Sequence, residues 1–226
     1  MTDASEFAST AGTLTGRIYA VLKDRLLHGV YQPGQRLPIE TLAQEFGVSK
    51  QPVREAFRAL SADGLLDIKP QIGSIVAAYS PKEFALFYRV LAGYERAAAE
   101  AAAVNATDEQ ISRLRAFLHA AESRQLHANP TDQLPEFRRS NREFHAMVHA
   151  MANSRLLTIQ GQRLWDLSDF LLSSLQGQDG VRALAPKQHT EHWDIVEAFE
   201  SRDSERAGLI MLDHVNRIAE MTAHRV

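Results

Sequence analysis

The chain contains no cysteine. That absence excludes disulfide scaffolds, thiolate zinc fingers, iron–sulfur clusters and cysteine nucleophiles. No apolar run approaches the roughly 20 residues needed to span a bilayer, and Met1 to Gly12 lacks the apolar segment of a secretion signal. A cytoplasmic protein with no membrane partner is expected. Charge of one sign is also lacking: the formal net charge is −3 over 226 residues. A uniformly basic nucleic-acid coat is therefore excluded, whereas a local basic patch is not. Hydrophobic residues make up 45% and charged residues 23%, which is enough apolar content for a real core and too much for a disordered chain.

Glycine and proline fall unevenly. Eight of the 12 glycines precede residue 100, and Pro33, Pro38, Pro52 and Pro70 crowd the first 70 residues. From Ser80 onward the sequence is alanine-rich and periodic with few breakers, so a boundary is expected near Ala78–Pro81. This divides the chain into a flexible N-terminus over 1–12, a first domain over 13–78 and a second over 79–226.

In the first domain a helix is predicted from Leu14 to His28, with Ile18, Val21, Leu22 and Leu26 at three- and four-residue steps and Gly29 ending it. The turn Tyr31–Pro38 leads to a short helix, Ile39 to Phe46. Ser49 is placed as N-cap of the next helix, Lys50 to Asp63, which tolerates Pro52 in its first turn. Leu65–Ile68 and Ser74–Ala77 read as two short strands. In the second domain, capping patterns at Ser80–Glu83 and Thr107–Gln110 open helices to about Val104 and Ala128. Further helices are predicted over Leu134–Met151, from Ser154 to Leu175, over Lys187–Glu200 and over Asp203–His224, with a loop over Gly177–Pro186. No strand signal follows Ala78 and no internal repeat is visible. The fold class is mainly α, an N-terminal winged helix-turn-helix plus a C-terminal all-helical bundle.

That first layout suits DNA reading, which needs a rigid second helix whose first residues reach base edges in the major groove. Here it begins Ser49-Lys50-Gln51-Pro52-Val53-Arg54. Lys50, Arg54 and Arg58 stand four apart and line one stripe, while Val53, Ala56, Phe57 and Leu60 face a core. Residues 1–78 carry eight Lys/Arg and eight Asp/Glu, so positive charge is focused on this helix rather than spread over the domain.

Pro33-Gly-Gln-Arg-Leu37, Leu42-Ala43, Gly47-Val-Ser-Lys-Gln-Pro-Val-Arg-Glu-Ala56 and Leu60-(three residues)-Gly64-Leu65 resemble the DNA-binding domain of the GntR family of bacterial regulators, over about Leu14 to Ala78. The resemblance implies base or phosphate contacts from Ser49, Lys50, Gln51 and Arg54, and a wing at Gly73. Two positions depart from the pattern. Glu40 stands where the family often has arginine, and Lys50 replaces a commoner arginine, giving a point charge in place of a bidentate fork.

The second domain is rich in histidine. Asn141 and His145 share one helix face, as a chelating pair must, and His192 and His214 sit on two further helices. Three neutral imidazoles plus one oxygen suit a divalent ion such as zinc, nickel or manganese. Asn141-Arg-Glu-Phe-His145, Glu191-His192-(two)-Ile195-(two)-Ala198 and Ala207-(three)-Met211-(two)-His214 resemble the FCD effector domain of the family's FadR branch. Many of its members hold a metal with an aspartate and three histidines. By that resemblance Asn141 replaces the aspartate, and its uncharged oxygen weakens metal binding. His149 and His189, each one helical step from a proposed ligand, read as bystanders. The family's effector-binding arginine, four residues before Glu95, is Leu91 here, leaving Arg89, Arg138 and Arg142 as substitutes.

The expected function is a ligand-responsive transcription regulator acting as a homodimer on a palindromic double-stranded DNA operator, with a small organic acid or related metabolite as effector. Two alternatives compete with this reading. A metal-dependent hydrolase or isomerase would use the histidines to activate water, but no acidic residue lies in a general-base motif, so no enzyme is expected. An architectural DNA-binding protein would leave the helical domain inert.

Overall fold

The structure, a computed structural model, describes residues 12–129, 133–174 and 179–223. All but Gly12 of the N-terminal segment expected to be flexible lies outside them. The order is α1 (Leu14–Leu27), α2 (Ile39–Glu45), α3 (Lys50–Ala62), β1 (Leu66–Lys69), β2 (Gly73–Val76), α4 (Pro81–Asn105), α5 (Asp108–His127), α6 (Gln133–Met151), α7 (Arg155–Ser174), α8 (Asp179–Glu200) and α9 (Ser204–Ala223). Among the described residues no helix is long and apolar enough to cross a membrane. The fold is mainly α, with one two-stranded sheet.

The chain forms two compact units. The first takes in the residues up to Tyr79 together with Asp166–Gln176, and the second Ser80–Trp165 together with Gly177 onward. In the first unit Ile18, Leu22 and Leu26 of α1, Val53, Phe57 and Leu60 of α3, and Val76 of β2 close a core that also includes Phe170 of α7. Phe170 comes from far along the chain, so the local pattern of the first 78 residues gave no sign of it. Tyr19 donates to Asp63 Oδ2 at 2.6 Å and ties α1 to the end of α3. The strands pair antiparallel from Leu66 opposite Val76 to Lys69 opposite Gly73. The preceding turn docks on this ribbon through Leu37 N–H to Ser74 O and Val76 N–H to Gln35 O, both 2.9 Å.

α3 ends in a paired cap. Gly64 N–H donates to Ser61 O and Leu65 N–H to Leu60 O, with Gly64 in the left-handed region at φ 77°. That pattern satisfies the last carbonyls of the helix and turns the chain into β1.

In the second unit both capping boxes form: Ser80 with Glu83 opens α4, and Thr107 with Gln110 opens α5. α4 buries Leu91, Ala92, Ala98, Ala99 and Ala102 completely, and its most extensive partner is α9. The small side chains allow this close approach: a Cβ on Gly208 of α9 would sit 2.5 Å from Glu100 Cγ. One element differs from expectation. The segment read as a loop over Gly177–Pro186 is helical from Asp179, so α8 begins eight residues before Lys187. The helix formers Val181-Arg-Ala-Leu-Ala185 carry it, and Pro186 removes one backbone donor without stopping it.

Gly64→Ala should destabilise the first unit by about 1–2 kcal/mol, the cost of a left-handed non-glycine residue, because its Cβ would also meet Tyr79 Oη at 2.9 Å. Urea denaturation would show a lower midpoint with an unchanged slope; an unchanged midpoint would contradict the cap.

Candidate functional site

The exposed stripe of α3 is built by its own amphipathic pattern. Val53, Ala56, Phe57 and Leu60 are buried, which leaves Ser49, Lys50, Gln51, Arg54 and Arg58 exposed. Ser49 occupies the N-cap position in extended backbone, but its hydroxyl makes no capping hydrogen bond. Lys50 Nζ lies 2.7 Å from Glu40 Oε1 at the start of α2. The Lys50 hydrogen bond holds the Glu40 carboxyl below its ordinary range, with a weaker pull from Arg54. The unusual acid and the unusual lysine therefore form a pair. Gln51 donates to Glu55 at 3.1 Å. Gly73 opens β2 with φ 99°, and Arg36, bridged to Ile75, lies beside it. Arg36 sits in the quoted proline–glycine motif, yet no role for it was legible there.

The second unit concentrates buried polar groups. His145, His192 and His214 are at most 3% exposed, and one nitrogen from each lies within 4.8 Å of the others. His192 Nε2 and His214 Nε2 are 3.3 Å apart. His145 Nε2 is buried with no hydrogen-bond partner. Asn141, one turn earlier on α6 and 7% exposed, likewise has a buried Oδ1 without a partner. Unsatisfied buried acceptors are rare and costly in folded proteins. Here two stand one turn apart on α6, the first of them beside a pair of imidazoles.

Two carboxylates decide which nitrogens carry protons. Glu95 of α4 is fully buried. Its Oε2 lies 2.8 Å from His145 Nδ1, and its Oε1 lies 2.7 Å from His149 Nε2 and 2.8 Å from Trp165 Nε1. Burial alone would raise this carboxyl, but His145 and His149 bring it down to about 2, so it is ionised and only accepts. His145 must then hold its proton on Nδ1, which leaves a lone pair on the orphaned Nε2. Glu191 plays the same part for His214, at 3.0 Å from Nδ1, while its other oxygen is ion-paired with Arg217 at 2.5 Å without a hydrogen bond. Burial pushes His145 down to about 4, against the pull of Glu95. It also pushes His192 well below its ordinary value, helped by His214 and His145. These two rings are neutral at physiological pH, as metal ligands must be. The donor set fits a borderline divalent ion.

His149 is no bystander in packing terms: its buried ring sits edge-on to Tyr94 and holds Glu95. It is nevertheless outside the trio. His189 is partly exposed, 3.4 Å from Glu122. It lines a cavity of about 380 Å³ with Asn141, His192, Phe117, Leu118 and Phe137. No arginine or lysine is among the lining residues. Leu91 is fully buried, Arg89 is exposed, and Arg138 and Arg142 are half-buried on α6. Glu95 and Glu191 were the residues without an assigned role. A signal existed for Glu95, a lone carboxylate on the apolar stripe of Leu91, Ala92, Ala98 and Ala99.

Unfolded imidazoles take up protons near pH 6.5, whereas His145 resists until about 4. Across that window the unfolded chain binds more protons, so stability falls as pH falls. The metal-free protein should lose up to about 1.4 kcal/mol per pH unit for each such histidine. Thermal unfolding at pH 7.5 and pH 5 tests this, and an equal midpoint at both would refute it.

Comparison with known proteins gives both halves a family. Residues 14–76 match the model of bacterial regulatory proteins of the gntR family, and residues 87–217 match the FCD domain. The HTH-type transcriptional repressor RspR of Escherichia coli K12 is 30% identical over 211 residues, covering 90% of this chain and 86% of its own. The galactonate operon transcriptional repressor of the same organism is 28% identical, covering 92% and 98%. The solved structure of E. coli McbR/YncC shares the fold with a TM-score of 0.73 at 20% identity, over 95% of this chain and 99% of that one. A GntR transcriptional regulator from Rhodococcus sp. RHA1 does so with 0.73 at 21%, over 94% and 98%. With the FCD match alone spanning more than half its length, the chain belongs to the GntR family of bacterial regulatory proteins, a DNA-binding transcription regulator with an FCD domain behind its helix-turn-helix.

Proposed function

We propose that the protein is a cytoplasmic, ligand-responsive regulator of the FadR branch that reads a palindromic operator as a homodimer, through a DNA-reading domain over 13–78 and an effector domain over 79–226. The observation that carries the sensing half is the orphaned lone pair of His145 beside His192 and His214, in the same unit as an apolar cavity. His145, His192, His214 and Asn141 would hold a divalent ion such as zinc, nickel or manganese. When bound, the ion supplies a Lewis-acidic positive charge for a ligand oxygen, the charge that the cavity walls lack. Phe117, Leu118, Leu134 and Phe137 would cover the apolar body of a small organic acid or related metabolite, with Asn141 and His192 at its polar end.

On the DNA side, Ser49, Lys50, Gln51, Arg54 and Arg58 would face the major groove and Gly73 would lead the wing. One such domain reads only a few base pairs, so a two-fold pair of half-sites follows. A hydrolase is disfavoured on a specific ground. Glu95 accepts from three donors, and Glu191 accepts from His214 and is ion-paired with Arg217, so neither buried carboxylate is placed as a general base. An inert architectural role leaves the cavity and the orphaned acceptors without purpose.

Arg54→Ala should lower operator affinity by one to two decades at fixed salt, the value of about 1–3 kcal/mol for a good base contact. A fluorescence anisotropy titration that gives the parental affinity would remove Arg54 from the interface. For the metal, His192→Ala should abolish zinc binding and Asn141→Asp should tighten it, read by calorimetry and elemental analysis. Parental affinity in His192→Ala would refute the site.

A further inference from the structure

The proposed site has a charge problem. An ion held by three neutral imidazoles and an asparagine would leave two positive charges in a fully buried place, and such charges are strongly disfavoured unless compensated. We propose that Glu95 and Glu191 are the charge-compensating residues of this site, supplying through His145 and His214 the negative charge that Asn141 does not. The proposal rests on the metal reading above and names residues outside its donor set.

The geometry is specific. Each carboxylate bonds the Nδ1 face of a different histidine, at 2.8 Å and 3.0 Å, so each sits on the far side of a ring from the nitrogen that would bind the ion. A carboxylate there orients the ring, fixes the tautomer and raises the basicity of the opposite nitrogen. His192 has no carboxylate in any hydrogen bond described for it; its ring is stacked on Phe144 at 3.9 Å between centroids. Two of three imidazoles are therefore charge-backed, and with Arg217 paired to Glu191 the group brings one net negative charge, the one that Asn141 lacks. The positions suit the burden. Glu95 is held by three donors from α6 and α7, and Glu191 is anchored by Arg217 of α9.

The Lys50–Glu40 pair belongs to the surface already described. The exposed apolar residues Leu86, Val90 and Leu209 carry nothing to say what covers them.

The test measures Zn²⁺ affinity of the full chain at pH 7.5 by competition with a chromogenic chelator, with no effector present. Glu95→Gln and Glu191→Gln should each weaken Zn²⁺ binding about 10–100-fold, the usual cost of losing such a partner. Adding Asn141→Asp to Glu191→Gln should recover at least tenfold more than Asn141→Asp gains in the parent, since a charge returned to the ion replaces the charge removed behind the ring. A purely structural role would give the same gain in both backgrounds. Glu191 is the safer position because Glu95→Gln leaves a buried amide facing three donors and is the variant at risk of misfolding; Glu191→Gln with its rescue then decides alone. Parental affinity in Glu191→Gln, or an equal gain from Asn141→Asp in parent and Glu191→Gln, overturns the proposal while the metal site stands. Failure of the parent to bind Zn²⁺, or parental binding by His192→Ala, overturns the site itself and the proposal with it.

Discussion

The second unit is organised around one ionised carboxylate kept away from water. A bare carboxylate in a protein interior is strongly disfavoured, and it survives only where its lone pairs are satisfied. Glu95 achieves this with His145 and His149, one turn apart on α6, and Trp165 on α7. Three helices are thus placed by a single charge. Trp165 also lies over His145 with ring centroids 4.2 Å apart, so the ring is held in its plane as well as at its edge. Gly161 belongs to the same arrangement: a Cβ there would come within 2.3 Å of the His149 ring. α7 therefore passes α6 with no side chain at that point. Alter the charge and three donors, two rings and a helix packing distance must change together.

The first unit manages charge differently. It has no buried ion pair of this kind on the reading helix, only an exposed one, Lys50 with Glu40, whose side chains are 51% and 61% exposed. Pairs this solvated contribute little stability. What the pair does is set direction. It draws the lysine toward the start of α2 and reduces the positive charge offered at the head of α3, with Arg54 feeling Glu40 more weakly. If Lys50 meets a phosphate or base acceptor as proposed, that acceptor would have to displace Glu40, and the displaced carboxylate would add repulsion to any backbone that comes too near.

Local sequence signals recovered most of the helices because the caps are local chemistry. Ser80 with Glu83 and Thr107 with Gln110 mark their helices within four residues, and the buried spacing of α1 and α3 follows directly from the apolar pattern. The start of α8 was not legible, because glycine and proline at 177, 180 and 186 imitate a loop while the intervening residues favour helix. Phe170 could not be assigned to the first unit, since its partners lie more than 90 residues earlier. The site divides in the same way. Histidines on helix faces can be listed from spacing, but His149 gains its meaning only from Glu95, 54 residues away on another helix. Long-range pairing decides what a polar residue is for, and periodicity does not contain it.

The replacement of an aspartate-type ligand by Asn141 also bears on what such a site would sense. An anionic protein ligand and an anionic effector compete for the same positive charge, because each lowers the field felt by the other. A carboxylate behind an imidazole lies several ångströms farther from the ion, and Coulomb attraction falls with that distance. Moving negative charge outward, two carboxylates less the Arg217 cation, would offset part of the ion's charge while leaving more of its field for an incoming oxygen. The cavity walls, which contain no arginine or lysine, would then not need one. On this argument the absence of the family's arginine at Leu91 and the presence of asparagine at 141 are two sides of one change. Cation recognition of the effector would then pass from a side chain to the metal, and Glu95 and Glu191 would make that transfer electrostatically tolerable.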